Sequence, residues 1–239
     1  MRSILLGGLA ALVLATGAQA AVPNEVPATV NTTWRVTLDA GGHVTALEQH
    51  SKVKSAVAGP LEAAIRGWTF EPGKLDGVPA VTETTLDVSV ALEPQGEGFA
   101  VRVEDVRTGG GIEKTVAPQF PREQLRKNVA AQVVLEVRYD ASGKVTSVEP
   151  APDAPAVARD FTRSAIKAVR RWQFWPERVA GHGIPATVKV PICYSTGGRH
   201  APAPRCEAPT TGGARAATES PVTDNPEATI KVDVIGRKL

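Results

Sequence analysis

An internal repeat constrains this sequence more than any other feature. Three short segments recur in the same order and at nearly the same spacing, which predicts a duplicated structural unit. They are VTLDAGGHVTAL at 36–47 with VRYDASGKVTSV at 137–148, AIRGWTFEP at 64–72 with AVRRWQFWP at 168–176, and DGVPA at 76–80 with HGIPA at 182–186.

The first segment of each copy predicts a β-hairpin. Apolar and polar residues alternate on both sides of an Asp-x-x-Gly turn, from Asp39 to Gly42 in the first copy and from Asp140 to Gly143 in the second. Glycine supplies the positive φ that a tight hairpin turn needs. We therefore expect two antiparallel strands at the start of each copy.

The middle of each copy predicts a helix. Apolar residues recur at three- and four-residue spacing, which places them on one helix face. They are Leu61, Ala64, Ile65 and Trp68 in the first copy, and Phe161, Ala165, Ala168, Val169 and Trp172 in the second. Pro60 suits the first position of the first helix, because a missing N–H leaves no bond unmade there.

The W-x-F-x-P segment after each helix predicts a chain reversal into an extended strand. Its proline ends the helix and favours an extended residue before it. We interpret Trp68 and Trp172 as core anchors, and the alternative is a pair of ligand-stacking rings. A last strand follows at 84–92 and at 187–194. Each unit is thus predicted to be α+β, a small antiparallel sheet with one covering helix.

The two copies differ in their additional elements. The first carries an extra hairpin, formed by 85–91 and 99–106. The second is preceded by a predicted helix that starts at Pro121 and has Leu125 and Val129 on one side.

The domain boundaries follow from composition. Residues 107–111, RTGGG, predict a flexible link between a first unit at 27–110 and a second at 116–195. Residues 196–239 form a tail rich in Pro, Gly and Ala, and its segment 196–226 is predicted to be disordered. The alternating end of this tail, 229–235, has the pattern of a strand that adds to a sheet edge.

Residues 1–20 predict a cleavable signal peptide. Arg2 gives the positive start, an apolar run covers 4–14, and the A-Q-A sequence at 18–20 gives the cleavage pattern. The apolar run is shorter than the ~20 residues of a membrane-spanning helix. We therefore expect an exported protein without a stable membrane span; the alternative is an uncleaved short anchor.

Cys193 and Cys206 are the two cysteines of the sequence. In an oxidising compartment we expect them to close a short loop as a disulfide, which stabilises by about 3 kcal/mol through the unfolded chain. The alternatives are two inert thiols or a catalytic thiol, for which His200 is the neighbouring partner in sequence.

Four residues are possible surface contacts in the second unit. Lys167, Arg170 and Arg171 belong to a basic stripe on its helix, and Trp175 points away from the core side of the extended segment that follows. A solvated helix face is the default interpretation, and contact with peptidoglycan or lipid headgroups is the alternative. The net charge of +2 does not indicate a polyanionic partner, and we expect no nucleic acid.

Motifs for catalysis, metals and cofactors are missing from the sequence. The four histidines have no spacing suited to zinc, and no nucleophile elbow occurs. The segment GGGIEKT at 109–115 differs from a phosphate loop, because Glu113 replaces the required glycine before the lysine. We therefore expect a protein that is not an enzyme and that holds no metal or cofactor; a hydrolase with an unrecognised site is the alternative.

The second unit resembles the TonB C-terminal domain family. The matching elements are FP at 120–121 with Leu125, VVLEVRYDASGKVTSV at 133–148, AIKAVRRWQFWP at 165–176, Gly183 with Pro185, and VKVPICY at 188–194. By this resemblance the first unit is a more degenerate copy of the same domain. The resemblance implies a periplasmic, energy-transducer-TonB-like protein of a Gram-negative envelope, linked to transmembrane transport. It also implies that an edge strand pairs with an extended peptide of an outer-membrane receptor.

The candidate partner-binding edge lies in the last strand of the second unit. Pro191 interrupts an alternating pattern and donates no ladder hydrogen bond, so this strand is expected at a sheet edge. An exposed edge is a template for strand addition. The candidate residues are Thr187, Val188, Lys189, Val190, Pro191 and Ile192. The alternative is that the tail strand at 229–235, or the other unit, covers this edge.

Overall fold

Antiparallel strands dominate the computed structural model, which describes residues 28–96, 98–196, 229–230 and 234–239. The helices are α1 (Ser55–Arg66), α2 (Arg122–Arg126) and α3 (Arg159–Val169). The strands are β1 (Ala28–Leu38), β2 (Val44–Gln49), β3 (Phe70–Glu71), β4 (Lys74–Leu75), β5 (Val78–Pro79), β6 (Thr82–Gln95), β7 (Gly98–Gly109), β8 (Gly111–Lys114), β9 (Ala131–Tyr139), β10 (Val145–Pro150), β11 (Gln173–Trp175), β12 (Arg178–Val179), β13 (His182–Gly183), β14 (Ala186–Tyr194) and β15 (Thr229–Ile230).

The first sheet is built around β6. Its strand order is β13-β12-β6-β1-β2, and β7 also pairs with β6. The pairing with β1 runs without interruption from Leu38↔Thr82 to Ala28↔Leu92. The predicted hairpins β1–β2 and β6–β7 are both present, which confirms the strand assignments of this part of the chain.

One face of the first sheet packs on α1 and forms a first core. Successive residues of a strand point to opposite faces, so Trp34, Val36 and Leu38 of β1 lie on the α1 side and are buried. Leu61 and Ile65 of α1 pack against them. We call the opposite side of this sheet the outer face.

The second sheet contains three strands in the order β10-β9-β14. Leu135 and Val137 of β9 face α3, where Phe161, Ala165 and Val169 complete a second core. These are the apolar helix positions that the sequence predicts. The hairpin β9–β10 is antiparallel, also as predicted.

The elements around the two cores are interleaved. The strand β12 follows α3 and β11, yet it pairs with β6 of the first sheet at Thr82 and Glu83. Conversely, β8 follows β7 of the first sheet and pairs with β11. The buried Glu177 lies at this junction, where its carboxylate accepts a 2.5 Å hydrogen bond from the Thr84 hydroxyl. Backbone and side-chain bonds therefore join the two halves.

The end of the chain returns to the first half. β15 pairs with β3, and the Gly236 and Leu239 N–H groups donate to carbonyls of β7. Lys238 forms an ion pair of 2.7 Å with Glu93, and hydrogen bonds from Lys238 and Arg102 lower the pKa of this carboxyl. The rest of the tail, 197–228 and 231–233, lies outside the described residues and includes 197–226 of the segment predicted to be disordered.

The helix α1 begins earlier than the sequence predicts. Pro60 lies inside the helix rather than at its first position, because α1 starts at Ser55. Val57 and Ala58 are buried against the first core and extend the apolar stripe by a turn. This burial offsets the hydrogen bond that Pro60 cannot donate to the preceding turn.

The helix α2 is shorter than predicted. It ends at Arg126, and Asn128 adopts a positive φ of 52°, which is incompatible with continuing the helix. Leu125 and Val129, the predicted apolar side, are 52% and 40% exposed. Without a surface to bury these side chains, a longer helix has little to stabilise it.

The prediction of a flexible link at 107–111 is wrong. Arg107 to Gly109 complete β7, and Gly110 and Gly111 are closely packed. A Cβ at Gly110 would lie 1.9 Å from the Tyr139 hydroxyl, and one at Gly111 would lie 2.4 Å from the Thr85 hydroxyl. These glycines allow β8 to lie directly against the outer face of the first sheet.

No helix in the described ranges combines the length and the apolar character that crossing a membrane requires.

Candidate functional site

The strand β14 is an edge of the second sheet. It pairs with β9 from Ala186↔Tyr139 to Tyr194↔Ala131, and no strand of the described residues pairs with its other side. The described end of the tail pairs with β3 and β7 instead. We call the unpaired side of β14 the open edge.

The hydrogen-bond pattern shows which residues face the open edge. The Ala151 N–H donates to the Val134 carbonyl at 3.0 Å, so the backbone polar groups of Val134 point toward β10. In an antiparallel pair the two residues opposite each other either both bond or both point away. Pro191 lies opposite Val134, so its missing N–H falls on the open edge. The proline therefore removes no hydrogen bond from the β9–β14 ladder.

The open edge presents unpaired backbone groups. Thr187 and Lys189 alternate with their neighbours in the same way as Pro191, so their backbone groups also point toward the open edge. Their N–H and carbonyl groups form no hydrogen bond with another described residue. The Thr187 side chain is buried, and its hydroxyl has no hydrogen-bond partner. Unpaired groups of this kind favour an added strand, because a partner's backbone satisfies them.

The side chains of β14 alternate between two environments. Val190 and Ile192 are buried in the second core, and Val188 packs at its margin. Lys189 points to the other face and forms an ion pair of 2.7 Å with Asp153. The hydrogen bond from Lys189 lowers the pKa of the Asp153 carboxyl. The core side of the strand fixes its position, and Lys189 and Pro191 on the other side are partly buried.

A cleft of about 340 Å³ runs between β14 and the outer face of the first sheet. Val188, Val190 and Pro191 line one side of it. Asp87 and Ser89 line the other side, and they project from the outer face because the alternate residues of β6 are buried in the first core. This second wall is not among the residues predicted from the sequence. The polar positions alternating with Leu86, Val88 and Val90 mark the outward-facing side of β6 but not its place beside β14.

Trp175 contacts residues of the first half of the chain. Its half-buried ring makes an edge contact with the His50 ring at 4.3 Å, and the Arg35 guanidinium lies 4.8 Å from the ring centre. The ring thus takes part in the contact between β11 and the outer face. The predicted core anchors Trp68 and Trp172 are both buried.

The predicted basic residues lie on the exposed side of α3. Lys167 lies on the helix, and Arg170 and Arg171 follow its last turn. Arg159 and Arg163 continue the stripe toward the start of the helix. Within the described part of the chain, these five side chains form no ion pair with a carboxylate. We call these five residues the basic face.

Cys193 is disulfide-bonded. Its predicted partner, Cys206, lies outside the described residues. The cysteine lies on β14 opposite Gln132, near the end of the candidate strand. Among the described residues, no group of three or more His, Cys, Asp or Glu side chains is placed to hold a metal ion.

Comparison with known proteins finds similar proteins for the part of the chain that contains β14. Residues 116–196 match the family described as Gram-negative bacterial TonB protein C-terminal. Two proteins named Protein TonB, from Xanthomonas campestris pv. campestris strains B100 and ATCC 33913, are each 33% identical to this chain over 78 residues. The matched stretch covers 33% of this chain and 34% of each relative. No solved structure matches the chain.

Proposed function

We propose, from the premise that residues 116–196 form a TonB C-terminal domain, that this protein is a periplasmic binding module linked to transmembrane transport. In this proposal the open edge of β14 docks an extended peptide segment of an outer-membrane transport protein by strand addition. The protein acts by binding and not as an enzyme.

The open edge is the observation that carries this proposal. Backbone groups of Thr187, Lys189 and Pro191 point away from β9 and have no partner strand among the described residues. In strand addition the main-chain hydrogen bonds give affinity, and pockets for alternate side chains give selectivity. The cleft beside β14 leaves space for such a strand.

Photocrosslinking from the open edge tests the proposal. A crosslinking amino acid in place of Pro191 is expected to capture an extended segment of an outer-membrane transport protein, identified by mass spectrometry. Lys189→Pro removes an outward N–H and places a ring where the partner strand lies, so capture should fall about tenfold. Lys189→Ala loses only the ion pair with Asp153 and should retain capture.

The other edge of the same sheet provides the matched control. A crosslinker at Glu149, on β10, reports on a strand that also has one side without a partner strand among the described residues. Equal capture from Glu149 and Pro191, or capture that Lys189→Pro leaves intact, would contradict docking at β14.

A second candidate function rests on the basic face. Its five cations form no ion pair in the described part of the chain, and Arg163, Lys167 and Arg171 line a groove of about 380 Å³ with Arg122. Unpaired cations on one surface attract anionic headgroups or cell-wall carboxylates. On this basis the protein would be an envelope adaptor that contacts lipid or peptidoglycan.

Cosedimentation separates this candidate from peptide docking. Lys167→Glu/Arg170→Glu is expected to lower binding to anionic vesicles or to peptidoglycan at least tenfold, since each basic residue near an anionic surface contributes ~1 kcal/mol. Lys144→Glu/Arg178→Glu makes the same charge change at exposed residues outside the basic face and should reduce binding much less. Equal losses in the two double variants would show that binding depends on the overall charge of the protein and not on the basic face.

A further inference from the structure

The two walls of the cleft beside β14 come from distant parts of the sequence. Val188, Val190 and Pro191 belong to the matched family domain, whereas Asp87 and Ser89 belong to β6, outside it. A strand added to the open edge would occupy this cleft. Its side chains would therefore meet residues of the first sheet as well as residues of β14.

The charged side chains of the cleft differ in whether they have an ion-pair partner. Its cations already have carboxylate partners, since Lys189 lies 2.7 Å from Asp153 and Arg107 lies 2.9 Å from Asp105. Asp87 accepts a 2.7 Å hydrogen bond from the Thr33 hydroxyl but forms no ion pair with a described residue. Asp87 is thus the charged residue of the cleft that forms no ion pair among the described residues.

The lack of an ion pair among the described residues becomes important when a peptide enters. Asp87 is exposed in the free protein, so water solvates its carboxylate. A docked strand would displace part of this water, and the desolvated charge would then favour a cation and disfavour an anion on the peptide. The first sheet can therefore select among peptides that the backbone of β14 would bind equally.

We infer that the first sheet forms a selectivity wall of the docking site and that the docked segment carries Lys or Arg at the position facing Asp87. This inference rests on the proposed function, because it requires a strand on the open edge. It assigns a binding role to a part of the chain outside the matched family domain.

Selection from a random library of short peptides tests this inference on the full-length protein. Peptides retained by the unchanged protein should be enriched in Lys and Arg, and Asp87→Lys should reverse the preference toward Asp and Glu. Peptide pairs that differ only in carrying Lys or Glu at this position give the size of the effect. The unchanged protein should bind the Lys peptide about fivefold more tightly, and Asp87→Lys should bind the Glu peptide about fivefold more tightly, as expected of a partly exposed charge pair. Glu62→Lys makes the same charge change on α1, on the far side of the first sheet, and should leave the preference unchanged.

The possible outcomes separate the two claims. If Lys189→Pro abolishes selection but Asp87→Lys retains the original charge preference, strand docking stands and the selectivity wall is refuted. If Asp87→Lys and Glu62→Lys shift the preference equally, the effect is one of net charge and the wall is again refuted. If the unchanged protein retains no peptide above background, both the wall and docking at the open edge are overturned.

Discussion

Gly143→Ala is expected to lower the melting temperature of this protein by about 10 °C. Gly143 has a φ of 80°, and a Cβ built there would lie 1.9 Å from the Phe174 carbonyl oxygen. A left-handed conformation costs an L-residue ~1–2 kcal/mol, and overpacking adds ~1–3 kcal/mol. For a chain of this size each kcal/mol lowers the melting temperature by ~2–4 °C. Thermal unfolding followed by circular dichroism measures the effect.

The clash is unavoidable because a strand crosses directly over the turn. The Phe174 N–H donates to the Gly143 carbonyl at 2.9 Å, and the Gln173 side chain donates to the Ser142 carbonyl at 2.9 Å. The Asp140 carboxylate holds the turn from the other side, and its pKa is lowered chiefly by a hydrogen bond from the Ser142 hydroxyl and by the Lys144 N–H. The backbone therefore cannot move away from a new methyl group without breaking these bonds.

Gly181→Ala is the matched control for Gly143→Ala. Gly181 has the same φ of 80°, but nothing lies within 4 Å of a Cβ built there. Its substitution should cost only the conformational strain of ~1–2 kcal/mol. Equal losses at the two positions would show that the carbonyl contact contributes nothing, which contradicts the packing argument.

The first half of the chain repeats this local geometry. Gly42 has a φ of 84°, its Cβ would lie 1.9 Å from the Phe70 carbonyl oxygen, and the Phe70 N–H donates to the Gly42 carbonyl at 2.9 Å. The agreement in turn, distance and hydrogen bond supports the prediction that 27–110 and 116–195 are two degenerate copies of one unit. In both halves the W-x-F-x-P segment closes over this turn.

Local patterns in the sequence predicted the longer elements of the fold. Alternation in β1, β6, β9 and β14, and helical spacing in α3, involve enough residues to identify an element by its period. Strands of two to four residues have no measurable period, so β8 and β12 could not be assigned. The interleaving depends on these short strands. The packing of Gly110 and Gly111 is also invisible to local patterns, since Tyr139 and Thr85, which they pack against, are distant in sequence.

The candidate site was predictable in part. Pro191 marked β14 as an edge strand, because a proline inside a regular ladder would break a hydrogen bond. The wall formed by Asp87 and Ser89 depends on how the two sheets lie against each other, and no local pattern encodes that arrangement. Trp175 shows the same limit, since an aromatic ring beside Arg35 and His50 cannot be distinguished from a surface contact by sequence alone.

Phe174→Ala is expected to destabilise both halves of the molecule together. Phe174 is 2% exposed and stacks on Tyr139 with ring centres 4.7 Å apart. Replacing a buried phenylalanine by alanine costs ~3–5 kcal/mol. Because β11 also pairs with β8, which continues from β7 of the first sheet, the loss should extend to both sheets. Hydrogen exchange in increasing denaturant should show β1–β6 and β9–β14 losing protection at one lowered midpoint.

The interleaved pairing of strands from the two halves makes the unfolding of the protein a single transition. If the halves were independent, Phe174→Ala would lower the midpoint of the second sheet and leave that of the first unchanged. Phe99, which is 42% exposed on β7, provides the control, and Phe99→Ala should change the stability by less than ~0.5 kcal/mol. Two separate midpoints in the unchanged protein would refute the cooperative junction, whereas one shared midpoint would mean that β14 and Asp87 are held in a fixed relation. Selectivity by the first sheet requires this fixed relation, since a wall that moves independently cannot impose a charge preference.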